Sequence, residues 1–235
     1  MKQPKDRIIV ALDVDSLDKA EVLVKRLSPH IGFSKVGLEL LTAEGAPRVV
    51  NSIQTLGGLV FYDGKFDDIP NTVAGAAKAV AKMGVKMFNV HASAGIDAMM
   101  AAVANKGESL VLAVTVLTSR EENDANLTFG GPTKARVLQF AREAKLAGCD
   151  GIVCSPQELK LIRSRKELNG LLTVVPGIRS SDAPADDQKR TMSAGEAIKA
   201  GADYLVIGRP ITAAADPVEA AKKIAEEIAN AEFPL

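Results

Sequence analysis

The sequence predicts an α/β fold, a parallel eight-stranded (β/α)8 barrel of the TIM type, with residues 1–235 forming a single domain. Three observations point there. Short β-branched or aliphatic runs recur eight times between segments of helical period, at intervals that fit a strand, a helix and two loops. The chain's 235 residues suit eight such units, whereas a doubly wound sheet usually stops at five or six strands. No GxGxxG follows the first strand, as a dinucleotide-binding sheet would require, and no linker or low-complexity stretch breaks the rhythm.

The first strand is Ile8 to Leu12. Asp15 and Ser16 can cap the helix behind it, where Leu17, Ala20, Val24 and Leu27 share one face before Pro29 ends the run. Phe33 to Val36 is the second strand, and Ala46, Val49, Val50, Ile53 and Leu56 form the next stripe, closed by Gly57 and Gly58. After the third strand, Leu59 to Tyr62, Pro70 suits a first helical turn; Val73, Ala76, Ala77 and Val80 follow at helical spacing and Gly84 stops them. Strands four to eight are Met87 to Val90, Leu110 to Val116, Gly151 to Cys154, Leu172 to Val175 and Tyr204 to Ile207. A helix from about Pro217 to Ala231 completes the series.

Composition removes whole classes of function. Twenty-nine basic side chains balance 29 acidic ones, so no net field draws the molecule to nucleic acid or an anionic membrane, although a local anion site is compatible with that balance. The most apolar stretch, Ser109 to Leu117, is about half of the roughly 20 residues a membrane helix needs. Lys2, Lys5 and Arg7 precede an apolar run that Asp13 cuts short of signal-peptide length, so a cytoplasmic protein is expected. Cys149 and Cys154, with no metal-ligand spacing around them, read as small buried hydrophobes. With only His30 and His91, and no Trp, chemistry falls to carboxylates, Lys and Arg.

In such a barrel the active site stands at the strands' C-terminal ends. There the chain places Asp13, Lys35 and Asp63-Gly64-Lys65-Phe66-Asp67-Asp68. Strand alternation predicts that Asp63 and Lys65 face the same way, inward across the mouth. Taken singly these are ordinary loop charges; four converging groups, two of each sign, form a cluster in which each charge favours the other, so Lys65 stays protonated and can donate a proton. An imine-forming lysine needs the opposite environment. Pro176-Gly177-Ile178-Arg179 and Gly208-Arg209-Pro210, after strands seven and eight, carry the glycines and arginines that a phosphate monoester requires at the usual phosphate position of barrels. The stretch from Arg179 to Ser193 is longer than the usual 2 to 6 residues of a βα loop, and with Gln188 it is expected to act as a lid over the phosphate. His91 reads as structural; Thr118 is equally a substrate-ring contact or a hydroxyl bonded to backbone.

Phe61-Tyr62-Asp63-Gly64-Lys65-Phe66-Asp67-Asp68-Ile69 fits the F-x-D-x-K-x-x-D-I signature of the orotidine 5'-phosphate decarboxylase family, and the chain resembles the short bacterial members. Ala11-Leu12-Asp13, Lys35-Val36-Gly37, Val90-His91-Ala92, Pro176-Gly177-Ile178-Arg179 and Ile207-Gly208-Arg209-Pro210 are similar to it in the same order. The resemblance implies conversion of orotidine 5'-monophosphate to uridine 5'-monophosphate and CO2 in pyrimidine synthesis, with no metal and no cofactor. It implies a catalytic network of Lys35, Asp63, Lys65 and Asp68, with Lys65 as proton donor. Asp68 and Ile69 would reach the neighbouring subunit's site in a homodimer. Substrate contacts would be Asp13 and Lys35 at the ribose, Thr118 beside the pyrimidine, Arg179, Gln188, Gly208 and Arg209 at the phosphate and lid, with Ile69, Thr72 and Pro176 completing the set.

Two other readings compete. A metal-dependent decarboxylase or aldolase of sugar phosphates shares the D-x-K-x-x-D core, but carries an acidic metal ligand where this chain has Lys35. A silent barrel that only binds a nucleotide is permitted by fold alone, yet has no need of mutually attracting and repelling charges beside a phosphate site.

Overall fold

The computed structural model describes residues 3–179 and 191–232. Its strands are β1 (Ile8–Ala11), β2 (Phe33–Val36), β3 (Val60–Phe66), β4 (Met87–His91), β5 (Leu110–Val114), β6 (Gly151–Val153), β7 (Leu172–Val175) and β8 (Tyr204–Ile207). Each pairs with the next, and β8 returns parallel to β1 to close the barrel. The helices are α1 (Leu17–Leu27), α2 (Leu38–Glu44), α3 (Ala46–Thr55), α4 (Pro70–Lys82), α5 (Ile96–Ala104), α6 (Glu122–Phe129), α7 (Thr133–Leu146), α8 (Leu159–Arg163), α9 (Ala194–Lys199), α10 (Arg209–Thr212) and α11 (Pro217–Glu232). Among the described residues no helix is long and apolar enough to cross a membrane.

Strand alternation sorts two apolar layers. Ile9, Phe61, Met87, Leu112, Val174 and Tyr204 point into the barrel, where Phe33 and Tyr204 meet edge to face. Ile8, Val10, Val60, Phe88, Val111, Ile152 and Leu205 point outward against the helices. Both faces are therefore buried, which is why these strands read as continuous apolar runs rather than alternating ones. On α1 the buried residues are Leu17, Ala20, Val24 and Leu27, the expected stripe.

Two departures from the sequence reading bear on the site. Helices α2 and α10, each with one buried residue, are too short to show a period. Strand β3 also continues past Tyr62: its register against β4 runs from Tyr62↔Phe88 to Phe66↔Val90, so residues are inserted on the β3 side. Within this bulge Lys65 has φ 49°, the only positive φ at a non-glycine among the described residues.

The strands' N-terminal ends are tied by a separate polar network. Asp203 accepts hydrogen bonds from the Arg163 guanidinium at 2.5 Å and from the Thr173 N–H at 2.8 Å. Lys106 pairs with Asp150, whose carboxylate also accepts from the Val111 N–H at 2.8 Å. Arg7 donates to the carbonyls of Ala202 and Asp203 and pairs with Glu232 on α11.

Candidate active site

At the opposite end, the strand C-termini open on a cavity of about 440 Å³. Directly above the apolar filling of the barrel, the next inward positions are Lys35 two residues beyond Phe33, Asp63 two beyond Phe61 and Asn89 two beyond Met87. With Asp13 and Lys65 they make one charged wall. The wall from β5 to β7 is apolar, built from Val114, Val116, Leu117, Val153, Cys154 and Pro176. Gly177, Arg179, Gly208 and Arg209 stand at the same cavity, in the loops after β7 and β8.

Asp63 is the hub of the charged wall. Its Oδ1 accepts from Lys65 Nζ at 2.7 Å and from Asn89 Nδ2 at 2.6 Å, and its Oδ2 lies 3.0 Å from Lys35 Nζ. Lys35 also donates to Asp13 Oδ1 at 3.1 Å. Gly37 leaves room for this ammonium, since a Cβ there would stand 3.2 Å from Nζ. Burial alone would push both groups towards neutrality. For Lys35 the attraction of Asp63 and Asp13 outweighs that cost and holds it above its ordinary value of 10.5. For Asp63 the two lysines and the Asn89 amide outweigh it and hold the carboxyl below 3.8. The cluster is charged and hydrogen-bonded throughout.

A profile of the orotidine 5'-phosphate decarboxylase / HUMPS family matches residues 6–224. The chain belongs to that family. An orotidine 5'-phosphate decarboxylase from Geotalea daltonii is 50% identical over 234 residues, covering 96% of this chain and 97% of the relative. The crystal structure of the Lactobacillus acidophilus orotidine 5'-phosphate decarboxylase superposes with a TM-score of 0.82 at 34% identity, covering 94% of this chain and 98% of that one. A Methanocaldococcus jannaschii orotidine 5'-monophosphate decarboxylase, solved in complex with the inhibitor BMP, gives a TM-score of 0.77 at 26% identity, with 94% and 98% covered.

Among the family positions anticipated from sequence, Asp13, Lys35, Asp63, Lys65, Thr118, Pro176, Arg179, Gly208 and Arg209 all line the cavity. Asp68, Ile69 and Thr72 do not line it in this chain; all three are exposed, Ile69 by 67%, at the β3–α4 junction and the first turn of α4. Gln188, with the polar run Asp182 to Asp187, lies outside the described residues. The base of that loop is described: Arg179 N–H donates to the Met192 carbonyl and Met192 N–H to that of Gly177. Thr115 is bonded to backbone, its hydroxyl donating to the Val153 carbonyl at 2.8 Å. His91 ends β4 outside the cavity lining; burial pushes its pKa below 6.5, with Asp67 opposing. Both cysteines are free and buried, and burial pushes the Cys149 thiol up to about 12, Asp150 adding to it.

Asn89 is the site residue that the sequence reading passed over. It is 1% exposed, on a strand otherwise made of Met87, Phe88 and Val90 up to its final His91. A lone amide at an inward position of an apolar strand was the available signal, because a buried amide must find partners.

Proposed function

We propose that this chain decarboxylates orotidine 5'-monophosphate to uridine 5'-monophosphate and CO2 in pyrimidine biosynthesis, without metal or organic cofactor, with Lys65 as proton donor. The observation that carries the proposal is the Asp63 carboxylate with a lysine ammonium on each of its oxygens, set opposite an apolar wall. A nucleotide fits this division. Its phosphate lies at Gly177, Arg179, Gly208 and Arg209, its ribose against Asp13 and Lys35, and its pyrimidine along Val114, Val153 and Pro176 with Thr118 beside it.

In the reaction the bond from C6 to the carboxylate carbon breaks, CO2 departs, and the electron pair remains on C6. Lys65 Nζ transfers its proton to that carbon and is reprotonated from solvent. No carbonyl is placed to take up the electron pair, so the stabilisation comes from positive charge already oriented by Asp63, which costs no reorganisation as the barrier is crossed. The site is completed by a second copy of the chain, which contributes Asp68 and Ile69 from its own exposed β3–α4 junction; this makes the functional unit a homodimer. A metal-dependent reaction is disfavoured by position: the metal-dependent class needs an acidic ligand where this chain has Lys35, whose ammonium already pairs with both Asp13 and Asp63.

Ultraviolet loss of orotidine 5'-monophosphate, followed with and without excess EDTA, tests the reaction. Turnover unaffected by chelator is expected, and abolition by EDTA would restore the metal-dependent reading. Lys65→Ala is expected to keep uridine 5'-monophosphate binding within about tenfold, or about 1.4 kcal/mol, while turnover disappears. Equal loss of both would remove Lys65 from proton transfer.

A further inference from the structure

The Lys65 backbone is held in a conformation that L-residues with a side chain rarely adopt, a strain that its surroundings must offset. One contact is placed to do so. Lys65 N–H, displaced from the regular ladder by the β3 bulge, donates to Asn89 Oδ1 at 2.8 Å. The other end of the same amide, Nδ2, donates to Asp63 Oδ1 at 2.6 Å, the oxygen that also receives the Lys65 ammonium. The orientation of the amide is dictated by its partners: a backbone N–H can only donate and an ionised carboxylate can only accept. Asn89 thus closes a ring from the Lys65 backbone, through its own amide, to Asp63 and back to the Lys65 side chain.

We propose that Asn89 is a positioning residue for the reaction: its amide fixes the left-handed backbone of Lys65 and the near oxygen of Asp63 together, and thereby sets where the Lys65 ammonium points. The inference rests on Lys65 being the proton donor. Neither a serine nor an apolar side chain spans both partners, and a carboxylate satisfies both only when protonated. The charged and titratable groups around Asn89 are Asp63 and Lys65 on β3, Lys35 beyond them on β2, and His91 on its own strand; its partner on β5 is Leu112.

Three proteins, wild type, Asn89→Ala and Asn89→Asp, are compared by steady-state decarboxylation between pH 5 and 9 and by binding of uridine 5'-monophosphate. Asn89→Ala is expected to lower kcat by about 100-fold at every pH, the scale of a misplacement near 1 Å, while KM and nucleotide binding stay within about threefold. Asn89→Asp shares one proton with Asp63. It is expected to approach wild type at the acid end, where a carboxylic acid reproduces the amide's donor and acceptor, and to lose about tenfold in kcat per pH unit once that proton is lost. His91, common to all three proteins, cancels in the comparison. If Asn89→Ala retains kcat within threefold, or if Asn89→Asp shows a loss with no pH dependence, the positioning role is overturned while the decarboxylase reading stands. Absence of turnover in the wild type would overturn that reading itself. Retained nucleotide binding reports that each variant is folded, and a variant that fails to bind shifts the decision to the other one.

Discussion

Asp63 and Lys35 are a buried ion pair, and removing the Asp63 carboxylate leaves the buried Lys35 ammonium with only the exposed Asp13 as its partner. Asp63→Ala is therefore expected to lower stability by about 3 kcal/mol near neutral pH. The pH profile gives a sharper test. The Asp63 carboxyl titrates below its ordinary 3.8, so its contribution is complete above that value and is lost as the pH falls through the depressed folded-state pKa. Lys35 titrates above 10.5, so its contribution is complete below 10.5 and is lost as the pH rises through the elevated folded-state pKa. Urea unfolding of wild type and Asp63→Ala should give a difference that shrinks as the pH falls below 3.8, and again towards alkaline pH, where burial neutralises Lys35 sooner in the variant than in wild type. A difference that does not shrink below pH 3.8 would count against the pair as described.

At the level of single elements, the strands were legible because a parallel barrel buries both of their faces and so demands apolar runs. The alternation F-x-K in β2, F-x-D in β3 and M-x-N in β4 also marks where filling gives way to site, one inward position higher on each strand. The β3 bulge was not legible. Plain alternation places Asp63 and Lys65 on one side, and the two side chains do meet, but through inserted residues and a left-handed Lys65 rather than a regular strand. A lysine in that conformation carries no compositional mark, unlike a glycine. Strand β6, by contrast, announces its constraint. A Cβ on Gly151 would stand 2.7 Å from the Leu172 carbonyl oxygen and 2.8 Å from the Leu172 Cβ. Gly151→Ala must push β7 away, and is expected to reduce stability by about 1–3 kcal/mol, seen as a lower denaturation midpoint at unchanged slope.

Across the whole molecule, polar chemistry is divided between two ends of one barrel. The cavity end holds charges that line a pocket and that we propose serve a ligand, while the opposite end holds Asp203, Arg163, Thr173, Lys106 and Asp150 knitted to backbone groups. Sequence separates these sets once a parallel barrel is read from it, because charges that precede a strand, such as Asp150 and Asp203, and charges that follow one, such as Asp13, then lie at opposite ends. The division predicts opposite phenotypes. Asp203→Ala strands the Thr173 N–H and part of the Arg163 guanidinium, and is expected to cost about 1–3 kcal/mol in thermal or urea unfolding with kcat and KM unchanged at temperatures where the protein is folded. A large fall in kcat there would contradict the separation.

The apolar filling of the barrel has a further consequence for traffic. Ile9, Phe61, Met87, Leu112, Val174 and Tyr204 stop the channel beneath the charged wall, so the reaction chamber is a blind end. Among the described residues the cavity lies at the strands' C-terminal ends beside Arg179 and Arg209, so in the proposed reaction nucleotide and gas share that side, and the smaller product leaves past the larger one or waits for it.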